Sequence, residues 1–559
     1  MLTVLDGDFL PFAKGVADGR YAFWLGSGIS FGRFPGLKVI IVKALEHLRA
    51  RADPTQTNCS FKAALDRALD LANLTATERQ SIDLGQPVES WAMVELLRDR
   101  LSGQYAAFLD IDIDGEPTDY LVWNAIKVAE VYADDSIAPD AEHYAIAALI
   151  KERAVSELPS ANWDGLIEKA VDELSRGQVS LKICVRTQDL QAPDQNATLI
   201  KFHGCAIRAQ ADEATYREYL VAAQHQIDGW ETNATTRGLA QYLVNVALTK
   251  PTLMLGLSAQ DANIRKVFAL AAATQNWNWP GELPAYVMAE DNIGPDQGTL
   301  LRGVYRAHFD AGNGNAIRNS AHFRAFAKPL LISLLLWTLG AKLQRMSRLG
   351  AFDLSDEFKD WIDEGIVRMR TLLAEINTGN HLDFIKDLIA GVSRTKRLFM
   401  SGRSNASISR YEPLSTVAVS QMSQDAETET NGLAEAAVAT ATIAHGATSG
   451  DWSLCSTNPN DDRSGVTQIV KDGRKDRVFV LSNADAEVAL FDSGAVDDDD
   501  QDAILIHARP VHERLARSPS RAPGRTGAVG PRRLSMSSLL SMADTPDELM
   551  EGFRLEAGL

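Results

Sequence analysis

The stretch "YAFWLGSGIS", residues 21–30, decides the fold. Five apolar or aromatic residues run straight into Gly26, Ser27 and Gly28, and Ile29 and Ser30 follow where a helix can open. An apolar strand ending in small residues is the joint of a strand–turn–helix unit. Glycine permits the tight turn, and the free N–H groups of a helix start attract negative charge such as a phosphate. The turn is not the dinucleotide fingerprint G-x-G-x-x-G, because position 31 is Phe, and it is not a Walker A loop, because no G-K-[ST] follows. Standing alone, it reads equally well as a plain strand–helix joint.

Working outward, four further short apolar segments follow: "LKICVR" (181–186), "TLIKFHG" (198–204), "TLMLGLS" (252–258) and "PAYVMAE" (284–290). Helical stretches lie between them, as in "LIEKAVDEL", where Leu166, Ala170, Val171 and Leu174 share one face. Strands that are apolar throughout and alternate with helices predict an α/β, Rossmann-like, mostly parallel sheet covered on both sides. Residues 60–110, rich in Ala, Leu and Glu, read as a helical insertion within a first domain spanning 1–317.

The rest of the chain changes character. A helical region is expected over 318–400; its "PLLISLLLWTLG" (329–340) is too short to cross a bilayer and reads as a buried helix. Residues 401–449 look polar and linker-like. A small β-rich domain is expected over 450–510, with a hairpin in "VTQIVKDGRKDRVFVL" turning at Asp-Gly, and strand candidates "AEVALF" and "AILIHA". The run "DDDD" (497–500) reads as a solvated loop, and 511–559 as a flexible basic tail with a short terminal helix.

Composition bounds the function. A net charge of -18 over 559 residues argues against a surface built to grip nucleic acid, leaving contact only indirectly or through the basic tail. Cys59, Cys184, Cys205 and Cys455 are scattered, with no C-x-x-C pair, which fits a reducing compartment and neither a disulfide framework nor a thiolate zinc site. The opening "MLTVLDGDFLPFAKG" is no secretion signal, so a cytoplasmic protein without a membrane partner is expected.

Three more strand ends carry chemistry. "LPSANWDGLIEKAVDEL" places Asn162 just before a helix that Asp164 can cap, although a turn residue would look the same. "ATLIKFHG" ends in His203 and Gly204; by itself such a histidine is more often structural. "TLMLGLSAQDANI" supplies Gly256, Ser258 and Asp261, a hydroxyl and a carboxylate suited to ribose hydroxyls. Doubly wound sheets collect strand ends in one crevice, so the four together describe a dinucleotide pocket with an imidazole and an amide, and no metal.

The ordered set "GSGIS … SANWDGLIE … IKFHG … LGLSAQDANI" resembles the sirtuin-like NAD-binding fold over roughly residues 15–300, and within it the bacterial antiphage-defence branch. The family motif G-A-G-x-S matches Gly26 to Ser30 with Ser27 in place of alanine. The motif T-T-N-Y-D-x-x-x-E keeps Asn162, Asp164 and Glu168 but not the threonines or tyrosine. The family's H-G step matches His203 and Gly204, and its G-[TY]-S element matches Gly256, Leu257 and Ser258.

The resemblance implies that His203 and Asn162 are catalytic and that Gly26, Ser27, Gly28, Ile29, Ser30, Asp164, Gly256, Ser258 and Asp261 bind NAD+. It implies cleavage of the nicotinamide–ribose bond, giving nicotinamide and ADP-ribose, as a regulated defence effector that depletes NAD+. It also implies a homo-oligomer working with a HerA-like ATPase or an Argonaute-like partner. The family's deacetylases carry a four-cysteine zinc module; its absence here favours hydrolysis of NAD+ over protein deacylation. A non-catalytic NAD or ADP-ribose sensor remains the alternative.

Overall fold

The computed structural model describes residues 1–559 except 54, 57, 177, 179, 276, 377–378, 404–409, 426–430, 459–460 and 511–529. Strands β1 (Ala22–Leu25), β2 (Glu157–Ser160), β3 (Leu181–Cys184), β4 (Ala197–Lys201), β5 (Thr252–Leu255) and β6 (Tyr286–Ala289) form one sheet in the order β3-β4-β2-β1-β5-β6. Every neighbouring pair is parallel. β1, β5 and β6 are buried along their whole length, as strands covered on both faces must be. The expected α/β, Rossmann-like architecture is observed. Its four central strands, β4-β2-β1-β5, are those whose ends carry the candidate residues.

β2 is the strand that an apolar-run reading passes over. Its four residues are Glu-Leu-Pro-Ser, and proline is rare inside a central strand because it cannot donate to the ladder. The missing donor faces β1. Ser156 and Ser160 accept from Thr198 and Phe202 on the β4 side, which turns Glu157, Pro159 and Ala161 towards β1. β2 therefore pairs with β4 over its full length but meets β1 only at Leu25↔Ser160, where Ala161 N–H donates to the Leu25 carbonyl at 2.9 Å. That join lies at the carboxyl end of the strands, next to the candidate residues.

The helical insertion is larger than the 60–110 expected. It runs from α1 (Leu37–Arg51) through α2 (Ser60–Leu71), α3 (Val94–Ser102) and α4 (Tyr105–Leu109) to Val131, and it owns a separate apolar core around Leu45, Leu65, Leu97 and Phe108. Ala206, Ala209, Leu220 and Ala222, from the chain just beyond β4, join that core and bring the insertion over the strand ends. Then come α5 (Ala141–Lys151), α6 (Leu166–Ser175), α7 (Arg237–Thr249) and α8 (Ala262–Thr274).

The apolar run 329–340 lies in α9 (Ala327–Leu349), where Leu330, Leu331, Leu334 and Leu335 are wholly buried in the same core as β1 and α5. The core therefore crosses the expected boundary at 317. A buried ion pair reinforces the junction. Lys342 Nζ lies 2.6 Å from Glu152 Oε2, and neither side chain is exposed. The ammonium also donates to the carbonyls of Glu152 and Ser415, and Tyr411 donates to Glu152 Oε1 at 2.6 Å. All three ammonium hydrogens are thereby used. Among the described residues no helix is long and apolar enough to cross a membrane.

After α10 (Asp356–Glu375) and α11 (His381–Ser401), the structure corrects three expectations. The segment read as a polar linker contains α12 (Leu433–Ser449), a largely buried helix packed against α10. Its alanines and threonines show no apolar stripe because small residues let two helices touch on any face. A Cβ on Gly365 of α10 would lie 2.7 Å from Ala441 Cβ. Thr440 and Thr442 hide their hydroxyls by donating to carbonyls four residues back.

Second, "AEVALF" is helical (Ala484–Asp492), not a strand: Asn483 caps it by accepting from the N–H groups of Asp485 and Ala486. Third, the supposed tail is not a free appendage from residue 532 onward. β7 (Ser453–Cys455), β8 (Thr467–Lys471), β9 (Arg474–Leu481), β10 (Ala503–His507) and β11 (Arg532–Ser535) form one five-stranded sheet, followed by helices Met536–Met542 and Pro546–Ala557. Arg532 crosses to Asp476, a buried carboxylate on β9, which holds the last strand in place. The Arg-, Pro- and Gly-rich part, 511–529, lies outside the described residues. The Asp-Gly hairpin forms as expected, with both Asp472 and Gly473 at positive φ.

Candidate functional site

β1 delivers the glycine turn to the edge of the sheet. Residues Ser27–Ser30 make one 3₁₀ turn, not a full helix. The three glycines are explained by one another. A Cβ on Gly26 would lie 2.3 Å from the Gly256 carbonyl oxygen, and one on Gly28 would lie 2.6 Å from Gly256 Cα. Gly256 itself has φ +61, and Gly28 N–H donates to its carbonyl at 3.1 Å. The turns after β1 and β5 thus press backbone on backbone, and a side chain at any of the three positions forces them apart.

Behind that turn, Ser30 organises one buried cluster. Its Oγ donates to Asp164 Oδ2 at 2.9 Å, lies 3.3 Å from His143 Nε2, and accepts from Asn162 Nδ2 at 3.4 Å. Asp164 Oδ1 accepts from Leu166 N–H at 3.1 Å; the N-cap of α6 is Gly165 and not Asp164, which tethers the helix start from one residue before it. Asn162 Oδ1 is buried and has no hydrogen-bond partner among the described residues. An orphaned acceptor costs free energy unless a ligand supplies a donor, and a ribose hydroxyl or a water would do so.

His203 organises a second cluster. Its Nε2 lies 2.9 Å from Asn263 Nδ2, and because Asn263 Oδ1 is occupied by the Ile264 N–H, the amide nitrogen is the donor. The neutral ring therefore carries its proton on Nδ1, which sits 4.0 Å from Asp261 Oδ2. Burial pushes the imidazole down to about 4 and the Asp261 carboxyl up to about 6. Tyr105 of α4 donates its phenol to Asp261 Oδ1, so the insertion reaches directly into this cluster.

The two clusters sit on neighbouring strands: Ser160 on β2 is in register with Lys201 on β4. Among the described residues no hydrogen bond joins His203 to Asn162. Lys201, fully buried, connects their supports by donating to Glu168 at 2.8 Å and to the carbonyl of Asp164. Ser27 and Ser258 are exposed at the rim and stand apart from both clusters, whereas Ile29 is buried under the turn.

Sequence reasoning missed His143, Asn263, Tyr105 and Lys201. Lys201 and Asn263 lie inside quoted motifs. His143 and Tyr105 arrive from helices and carry no local mark. His203 is only 5 % exposed and Asn162 only 6 %, so both side chains lie buried behind the exposed rim. A cavity of about 870 Å³ flanks it, lined by Asp119, Arg217, Val221, His225 and Trp230. Val221 also donates its N–H to the His203 carbonyl at 3.1 Å. None of the residues singled out from the sequence lines this cavity.

Residues 156–297 match the SIR2-like domain family. That part of the chain is similar to a SIR2-like domain. The match runs from β2 past β6 and takes in Asn162, Asp164, Glu168, His203, Gly256, Ser258 and Asp261. The glycine turn, Ser30 and His143 lie before it and reach the site through the sheet and α5. No curated protein matches the chain. SIR2-like domains use NAD+, and the buried Asn162 acceptor fits a hydroxylated ligand.

Proposed function

We propose that the SIR2-like domain is an NAD+ glycohydrolase that releases nicotinamide and ADP-ribose. The observation that carries this reading is the pairing, on adjacent strand ends, of a neutral imidazole at His203 with an amide at Asn162 whose oxygen has no partner among the described residues. Nicotinamide leaves a pyridinium as a neutral molecule and needs no general acid. The barrier lies in the oxocarbenium-like ribose, which the site must hold and shield while water is placed against it.

Asn162 Oδ1 holds a ribose hydroxyl or that water without adding charge. His203 takes the proton through Nε2 once Asn263 yields that nitrogen. Asp261, across from Nδ1–H, stabilises the imidazolium that forms. Burial disfavours that charged ring, so the carboxylate is needed to offset it. The Gly26–Gly28 turn lets the pyrophosphate approach the backbone closely, with Ser27 exposed at the rim to meet it, and Ser258 stands at the rim on the side of the Gly256 turn.

The burial of His203 and Asn162 beneath an insertion that bonds Asp261 supports regulation: a hydrolase of a central cofactor must be held inactive until a trigger arrives. A role in antiphage defence by NAD+ depletion, a homo-oligomeric state, and a HerA-like ATPase or Argonaute-like partner belong to the same proposal. The second reading is a sensor that binds NAD+ or ADP-ribose without cleaving it; it is favoured by the engagement of His203 Nε2 with Asn263. Nicotinamide release by the purified chain, compared with His203→Ala, separates the two. A hydrolase loses about 10²- to 10⁴-fold in rate without its imidazole, while a sensor has no turnover to lose.

A further inference from the structure

We propose that His143, at the start of α5, is a positioning residue that sets the orientation of the Asn162 amide through Ser30. This rests on the reading of Asn162 as a ligand-holding group. His143 is completely buried, and its Nδ1 accepts from the Asp140 backbone N–H at 3.0 Å. A ring nitrogen that accepts carries no proton, so in the neutral ring the proton sits on Nε2, which faces Ser30 Oγ at 3.3 Å. Burial keeps the ring neutral by pushing its pKa down to about 4.

The Ser30 hydroxyl then has its full complement. It accepts from His143 Nε2–H and from Asn162 Nδ2–H, and it donates its one proton to Asp164 Oδ2. A hydroxyl with one proton already committed to a carboxylate offers only lone pairs to the others. Asn162 must therefore present its NH₂ to Ser30 and its oxygen to the site. Without the His143 donor, Ser30 is free to rotate, the Asp164 bond slackens, and the amide can turn over to offer NH₂ where the ligand needs an acceptor. The group that decides how Asn162 meets its ligand thus lies on a different element, α5.

The test is a double-mutant cycle in the full chain with His143→Phe, Ser30→Ala and the pair, with His143→Gln as the conservative variant. NAD+ affinity is read by calorimetry, turnover by nicotinamide release, and folding by the thermal midpoint. Each single change is expected to weaken NAD+ affinity or turnover by about tenfold. The pair should be no worse than either single change, and His143→Gln, which keeps an acceptor for Asp140 and a donor for Ser30, should recover most of the loss. Effects that multiply in the pair, or a His143→Phe protein that binds and turns over NAD+ normally, overturn the proposal. If His143→Phe does not fold, His143→Gln against Ser30→Ala decides: a Gln variant as impaired as the Ser30 variant overturns it. A wild-type chain that binds NAD+ but releases no nicotinamide defeats the hydrolase reading alone, and the cycle is then scored on affinity. A wild-type chain that does not bind NAD+ defeats both.

Discussion

Tyr105, on a helix of the insertion, donates its phenol to the carboxylate of Asp261, which stands 4.0 Å from the Nδ1 of His203. One hydrogen bond thus ties the layer covering the site to the group best placed to stabilise a charged imidazole. While the bond holds, the phenol shares the carboxylate that faces the imidazole.

Tyr105→Phe removes the tie and keeps the ring. The account expects faster NAD+ turnover, or faster NAD+ association, by several-fold, at a stability cost of about 1.5–3 kcal/mol for a hydrogen bond to a charged group. Stopped-flow binding and nicotinamide release measure it. A large loss of turnover with normal folding would mean that the phenol belongs to the chemistry and does not merely tie the layer to the site.

Lys201→Met should be strongly destabilising. The lysine side chain is 1 % exposed and its Glu168 partner 15 %, so the change leaves a nearly buried carboxylate unpaired, at about 3–5 kcal/mol. Lys201→Met combined with Glu168→Leu should recover much of that loss. Thermal midpoints of the three variants check it, and an unchanged midpoint for Lys201→Met contradicts the role assigned to the pair.

Gly256→Ala places a Cβ 2.7 Å from Gly28 Cα and from Ile29 N, at a residue with φ +61. Backbone strain alone costs roughly 1–3 kcal/mol, and the clash must in addition part the turns after β1 and β5. Loss of NAD+ affinity beyond the loss of stability is expected, because those turns shape the backbone that the pyrophosphate would approach. Calorimetry on the folded variant gives the answer; unchanged affinity would remove the glycine turn from the site.

Acid should destabilise the chain through its buried histidines. His143 and His203 are held at about 4, against an ordinary 6.5, so below 6.5 the unfolded chain binds protons that the folded chain refuses. The stability lost reaches about 3 kcal/mol for each ring once the pH has fallen to about 4. Asp261 works in the opposite sense: its carboxyl, raised to about 6, takes up a proton in the folded chain first and gains stability as pH falls. Asp140, Arg33 and Glu168 act on His143, and the two carboxylates soften its resistance to protonation. His143→Gln should therefore flatten the fall of the thermal midpoint between about pH 6.5 and 4.5. An unaltered slope would show that this ring is not refused its proton.

Much of the sheet was readable because five of its strands are apolar runs ending in small or polar residues, which is what burial on both faces demands. β2 was not, because Pro159 breaks the strand pattern and is tolerated only by the local geometry of its β1 side. α12 was hidden because alanine packs without leaving an apolar stripe, and Ala484–Asp492 was mistaken for a strand because a short apolar run fits either period. Of the candidate site, Ser30, Asn162 and Asp164 meet in one cluster and His203 and Asp261 in another, all from strand ends that topology gathers. His143 and Tyr105 come from helices whose approach depends on packing, and no spacing in the sequence reports that. Gly26 and Gly28 were read as room for phosphate, and the structure gives them, together with Gly256, a prior task in holding two turns together.

The most direct test of the account is nicotinamide release from NAD+ by the purified full chain and by Tyr105→Phe, each with and without His203→Ala and Asn162→Ala. The account predicts release by the parent chain, by its Tyr105→Phe form, or by both, and a loss of about 10²- to 10⁴-fold on removing the imidazole. NAD+ left intact by both parents, or turnover indifferent to His203 and Asn162, would contradict it.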